Sequence, residues 1–200
     1  MGFIRNEAEL EALYGVPGEA AIRKVARRMT PAYRAWIGRS RFCLLATVGP
    51  EGTDCSPRGD DCPVVLEQDA GTLLMPDWRG NNRIDTLRNI VRDGRISLTF
   101  LIPGADNLIR VNGTARISVD TALIARFEKQ GKHPRSVIVV SISEIYSQCA
   151  RALMRAGLWS RDDAADLPTM GDILAEMTTG AIDGAAYDEA WGARAAETMW

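Results

Sequence analysis

Two short stretches of this 200-residue chain put charged side chains where chemistry could use them. The first, "TDCSPRGDDC" (residues 53–62), lies between the apolar runs "FCLLATV" (42–48) and "PVVL" (63–66), so Arg58 and Asp60 fall inside a strand-rich segment. A solvated turn is the plain alternative, because Pro57 and Gly59 are turn formers. The second, "PDWRGNNRIDTLRNI" (76–90), runs from the end of an expected strand through Gly80 into a helix expected to begin near Asn82. Free amides and the helix dipole at such a start favour a phosphate. Arg83, in the expected first turn, adds a guanidinium able to form paired charged hydrogen bonds. The alternative here is a simple cap at Asn81 and a surface arginine at Arg83.

Other reactive residue types form no comparable constellation. The single histidine, His133, stands before a proline in "GKHPRS", with no Ser-His-Asp arrangement around it, and reads as a loop residue. Cys43, Cys55, Cys62 and Cys149 are irregularly spaced and match neither a zinc pattern nor a disulfide framework, so reduced structural thiols and no metal are expected.

The elements that must position these residues belong to an ordinary globular chain, 46% hydrophobic and 25% charged, long enough to bury a full core as one domain. No apolar run approaches the roughly 20 residues that span a bilayer, and "MGFIRNEAEL" lacks the apolar centre of a signal peptide, so a cytoplasmic protein is expected. Residues 160–200 carry nine acidic side chains against two arginines, a charge of −7, which leaves +5 on residues 1–159. That surplus suits a small anionic ligand. Nucleic acid is disfavoured, because no basic cluster or interleaved aromatic stripe accompanies it.

Residues 1–40 read as three short helices, "NEAELEALYG", "EAAIRKVARRM" and "TPAYRAWIGRS", the last with Thr30 as cap and Pro31 in its first turn. Strand-like runs then cover 42–48, 64–66 and 72–75, with turns at "GPEG" and "QDAG". In the helix from Asn82, Ile84, Leu87, Ile90 and Val91 share one face. A hairpin of strands over 95–104 and 107–119, a short helix from Asp120, a buried strand over 135–143 and a helix over 144–159 complete residues 41–159. Six or so strands with few helices between them predict a closed or nearly closed antiparallel barrel. The segment 160–200 is expected to be an acidic helical extension.

Three segments, "LLATVGPEGTDCSPRGD", "GNNRIDTLRNI" and "LTFLIPGADNLIRVNGTARIS", in this order and spacing, resemble the pyridoxamine 5′-phosphate oxidase-like flavoproteins. The likeness spans roughly residues 30–160 and is closest to the branch marked by Ser-Pro-Arg-Gly-Asp and Leu-Arg-Val-Asn-Gly. It implies a mainly β, α+β fold: an antiparallel split β-barrel with N- and C-terminal helices, binding FMN at a homodimer interface. Gly80, Asn81, Asn82 and Arg83 fall where the oxidases hold the FMN phosphate with Gly-Ser-Arg-Lys, and only Arg83 keeps the basic charge. Asp77 falls where they use a residue near the flavin. Arg58 lies on the strand whose arginine reaches the same phosphate, one residue out of register and without the oxidases' Val-Leu-Leu-Lys continuation.

Asp60 is implied to pair with Arg58 or to hydrogen-bond the flavin, with a simple turn former as its alternative. Arg110 is implied to lie near the flavin or its ribityl chain, or else to pair with a carboxylate across the hairpin. Trp159 is implied to reach the partner's flavin, or else to be a hydrophobic plug. An FMN-dependent oxidoreductase acting on a small molecule follows, with no side chain required as catalyst. The Arg-Leu-His-Asp-Arg segment with which the oxidases grip their substrate's phosphate has no counterpart, which disfavours pyridoxamine phosphate as the substrate. A non-catalytic flavin-binding protein, and a barrel holding haem or a deazaflavin, are the alternatives.

Overall fold

The computed structural model describes residues 2–200. Three helices open the chain: α1 (Glu7–Tyr14), α2 (Glu19–Arg23) and α3 (Pro31–Ile37). The Asn6 side chain accepts from the Glu9 amide, and that of Thr30 from the Tyr33 amide with Pro31 in the first turn, so both caps satisfy amides a helix start leaves free.

Seven strands follow, all paired antiparallel: β1 (Phe42–Gly49), β2 (Gly52–Gly59), β3 (Leu66–Asp69), β4 (Thr72–Asp77), β5 (Arg95–Leu101), β6 (Leu108–Ser118) and β7 (Ser136–Gln148). Their order is β2-β1-β5-β6-β7-β4-β3, which leaves β2 and β3 as the two edges of a curled sheet. Alternate residues of β1, β5, β6 and β7, among them Cys43, Leu45, Leu98, Phe100, Ile109, Val111 and Ile145, fill one core with Leu73 and Met75 of β4. No described helix is long and apolar enough to cross a membrane.

The stretch that reads as a possible turn is instead strand β2. Gly52, at φ 128°, takes the hairpin bend, and Thr53 through Arg58 pair in register with β1. Pro57 fits because β2 is an edge strand with no ladder on its other side. Cys43, Leu45 and Thr47 are buried, and their partners across the ladder are Arg58, Ser56 and Asp54, so these three polar residues share the core-facing side.

Three further expectations are corrected. Val64 and Val65 are buried but precede β3, which starts at Leu66, because the Val64 amide is taken by the Ser40 carbonyl at 2.9 Å. Helix α4 (Asp85–Arg92) begins three residues after Asn82, whose φ of 61° breaks the helical path. Thr86, Asn89 and Ile90 are its buried residues, while Val91 is 75% exposed. Polar contacts set this rotation: Asn89 donates to the Thr47 hydroxyl at 3.1 Å and Thr86 donates to Asp54. Gly49 makes room for it, since a Cβ there would lie 2.1 Å from the Asn89 side-chain oxygen Oδ1.

The third concerns the helix expected over 144–159. Strand β7 continues to Gln148, and only α6 (Arg151–Ala156) is helical, ended by Gly157 at φ 58°. Ile145 and Tyr146 have strand propensity, and pairing with Val111 and Arg110 of β6 overrides the helical spacing of Ile145 and Cys149. A bulge at Asn112 and Gly113 keeps the long ladder in register with the curl. Gly113 is required there, because a Cβ would meet the Ser141 carbonyl oxygen at 2.0 Å. Asp120 caps the short α5 (Thr121–Ile124) as expected. Past α6 the chain forms α7 (Met170–Met177), α8 (Gly184–Glu189) and α9 (Trp191–Thr198).

Candidate functional site

The two edges of the sheet form no ladder with each other, and the seam between them is where the charged residues of the two stretches meet. Arg58 on β2 and Asp77 at the end of β4 form an ion pair across it at 2.6 Å, with side chains 18% and 15% exposed. The Arg58 Nε is buried and has no hydrogen-bond partner among the described residues. Burial pushes the Cys43 thiol beside it up to about 12, against the pull of the Arg58 charge, which leaves that cysteine protonated and inert.

A cavity of about 670 Å³ opens along this seam. That is the size range of small-molecule and cofactor sites. Ser56 and Arg58 of β2 form one wall, Asp77 and the loop 78–84 another, and Leu87 of α4 and Arg135 close it further. Four arginines, Arg58, Arg79, Arg83 and Arg135, face three aspartates, Asp60, Asp61 and Asp77, so the lining carries a net positive charge suited to an anion.

The sequence-derived candidates divide between this cavity and elsewhere. Arg58, Asp60, Asp77, Asn81, Asn82 and Arg83 all line it. Arg83 is nevertheless 81% exposed at its side chain and paired with Asp85 at 2.7 Å, and it precedes the helix instead of occupying its first turn. The Asn81 side chain accepts from the Arg83 amide at 2.9 Å, so its capping role is local to the loop, and Asn82 accepts from Arg135 at 3.0 Å. Helix α4 has Ile84 at its cap position and no side-chain cap, which leaves its first amides free beside the cavity.

Asp60 does not pair with Arg58. Its Oδ2 accepts from the Trp78 indole at 2.9 Å, and its Oδ1 accepts from the Asp61 amide at 2.7 Å and from the Lys129 ammonium at 3.0 Å. Burial works against the Asp60 charge, but the hydrogen bonds from Trp78, Lys129, Asp61 and Cys62 outweigh it and hold the carboxyl below its ordinary range. Asp60, Asp61 and Cys62 bring their ligand atoms close together, but the Lys129 ammonium bonds to all three and so fills the place a cation would take.

Arg110 lies outside the cavity, on the face of the sheet that turns away from the core. It stands over the Tyr146 ring at 5.5 Å, donates to Ser97 at 3.4 Å, and keeps its own Nε buried without a partner. Its partner across the hairpin is therefore the Ser97 hydroxyl and no carboxylate, with the Tyr146 ring supplied by β7 on its other side. Trp159, 38% exposed, donates its indole N–H to the Ala105 carbonyl at 2.9 Å and does not line the cavity. His133 donates its Nδ1–H to the Phe127 carbonyl at 2.8 Å and stands outside the cavity too. Trp78, Lys129, Arg135 and Trp200 carry no local signal of a site, because each reaches the seam through tertiary packing from a separate segment.

A seven-stranded antiparallel sheet, curled and open along one seam, with helices at both chain ends, is a split β-barrel of mixed α+β class. Residues 29–149, more than half of the chain, match the sequence profile described as pyridoxamine 5′-phosphate oxidase, and the chain belongs to that family. No curated protein sequence matches it. Among solved structures, HupZ of Group A Streptococcus superposes with a TM-score of 0.50 at 19% identity, covering 60% of this chain and 93% of that one. A putative pyridoxamine 5′-phosphate oxidase from Lactobacillus delbrueckii gives 0.48 at 18% identity, over 60% and 95% of the two chains. An F420 reductase gives 0.42 at 16% identity, over 60% and 98%. At these identities the likeness is one of fold.

Proposed function

We propose that this chain binds FMN as a homodimer and serves as an FMN-dependent oxidoreductase for a small substrate. The observation that carries the reading is Arg58: a guanidinium at the seam, held by Asp77 on one side, with a buried Nε that finds no partner among the described residues. Buried polar groups are normally satisfied, so an anionic ligand group fits the remaining capacity of this arginine. The uncapped start of α4, with Arg79 and Arg135 nearby, favours a terminal phosphate in the same place. Bound FMN would supply a ring able to accept or return a hydride.

The chain's own contribution is binding and electrostatics. Asp77 fixes the direction of the Arg58 fork, and Asn82 fixes Arg135. Phe42 and Leu44 on the outward face of β1 are 38% and 36% exposed. With Pro57, Thr99, Arg110 and Tyr146 in register across the strands, they form a half-apolar surface suited to a second copy. On this reading Arg110 and Trp159 belong to the shared side of the site. A haem ligand is less well supported, since His133 is engaged at a backbone carbonyl away from the cavity.

Titration of the purified protein with FMN and with riboflavin tests the phosphate site. FMN is expected to bind at least tenfold more tightly, as loss of one charged hydrogen-bonded contact costs about 1.5–3 kcal/mol. Equal affinities would remove the phosphate from the reading.

A further inference from the structure

The C-terminal segment reaches the same cavity from the far end of the chain. Met199 and Trp200 line it, together with residues of β2 and β4. The Trp200 ring packs edge-to-face on Trp78, with centroids 5.3 Å apart and planes at 77°. The Lys129 ammonium stands over the Trp200 ring at 5.3 Å. Lys132 donates to the Glu197 carbonyl at 3.2 Å and ties down the end of α9.

Both groups that grip Trp200 end on one carboxylate. Trp78 donates to Asp60 Oδ2 at 2.9 Å, and Lys129 bonds to Asp60 Oδ1 at 3.0 Å. The Asp60 side chain is 3% exposed, so this carboxylate is spent on the chain's own donors and leaves little surface for a ligand. The cavity keeps about 670 Å³ with Trp200 in place, so the indole is a wall of the cavity and not a plug in it.

We propose that Trp200 is a ligand-site residue that closes one wall over a planar aromatic ligand, and that Asp60 is the positioning residue that holds it there through Trp78 and Lys129. The proposal rests on the flavin reading for the identity of the ligand, but the arrangement of Asp60, Trp78, Lys129 and Trp200 stands without it. A wall of this kind acts on release: the contacts between the Trp200 indole and the ligand must break before the ligand leaves, so their loss speeds dissociation more than it slows association.

Two measurements on the full chain test it, with FMN as the probe. In the first, FMN release is followed by stopped flow. Trp200→Ala is expected to speed release three- to tenfold, Trp200→Phe to stay within twofold of the parent, and Asp60→Asn to act like Trp200→Ala. The double variant is expected to be no faster than either single one, because Asp60 acts through Trp200. Additive effects of the two substitutions would overturn the positioning role, and an unchanged release rate in Trp200→Ala would overturn the wall.

The second measurement needs no flavin: the rate at which trypsin cuts after Arg194 in the folded protein. Asp60→Asn and Lys129→Met are each expected to raise it several-fold by freeing the segment, and an unchanged rate in both would overturn the docking. Should Asp60→Asn fail to fold, Lys129→Met and Trp200→Ala decide the same question. If the parent protein takes up no FMN, the flavin reading falls, and the cleavage rates still decide whether Asp60 holds Trp200.

Discussion

FMN affinity is expected to fall about a hundredfold when Arg58 is replaced by alanine. The guanidinium is the charged group best committed to the cavity: it is only 18% exposed, it is oriented by Asp77 at 2.6 Å, and its Nε is unspent. Loss of a charged hydrogen bond to a phosphate is worth about 1.5–3 kcal/mol, or roughly ten- to a hundredfold and more in affinity. Asp77 adds to the effect, because without its partner it presents an uncompensated negative charge to the same anion.

Fluorescence titration of Arg58→Ala beside Arg83→Ala separates this site from a general loss of positive charge. Arg83 is 81% exposed and already paired with Asp85, so its removal is expected to cost tenfold at most. Arg58→Lys keeps the charge and the fold while losing the forked geometry, and should fall between the two. An Arg58→Ala protein that is folded and binds FMN within threefold of the parent would return this arginine to a structural role.

Replacing Leu44 with aspartate is expected to convert a dimer to monomers and to release FMN with it. Leu44 stands at the centre of the outward face, in one cross-strand row with Pro57, Thr99, Arg110 and Tyr146 and beside Phe42. A carboxylate buried there without a partner costs several kcal/mol, enough to raise the dimer dissociation constant about a hundredfold or more. The monomer itself should remain folded, because Leu44 is 36% exposed within one chain and contributes little to its core. Light scattering together with the flavin absorbance of the eluted peak reads both effects. A parent protein that is monomeric and still holds one FMN per chain would end the shared-site reading.

Residues that act through their neighbours in sequence were readable, and those that act across space were not. Thr30 with Pro31, and Asp120 before α5, announce helix starts through local chemistry alone, and the structure places caps at both. The hairpin of β5 and β6 is likewise legible from alternation around a Pro-Gly turn. The segment from Ile145 to Gln148 was not, because its apolar spacing suits a helix and its strand state comes from pairing with residues more than thirty positions earlier. The start of α4 failed for a different reason: Asn82 takes a left-handed conformation that an Asn-Asn pair permits without requiring.

The candidate site divides in the same way. Arg58, Asp77 and Arg83 were visible because a charge inside an apolar run, or at a strand end, is locally anomalous. Asp60 was visible too, but its role was not, since Lys129 is sixty-nine positions away and Trp78 approaches from another strand end. Trp200 gives no local sign at all of its contact with Trp78.

The seam between β2 and the β3–β4 edge has a thermodynamic consequence. Every other junction in the sheet is a ladder of backbone hydrogen bonds, whereas this one is spanned by side chains, the Arg58–Asp77 ion pair and the Trp78–Asp60 hydrogen bond. Opening along it is therefore the least costly way to disorder the barrel. A ligand bound across that seam to the closed sheet and not to the opened one acts as a missing stave. It shifts the folding equilibrium by mass action, by about 2.7 kcal/mol at a hundredfold excess over its dissociation constant. With such a ligand, folding stability and cavity occupancy would be one coupled quantity, and the melting temperature would rise with ligand concentration.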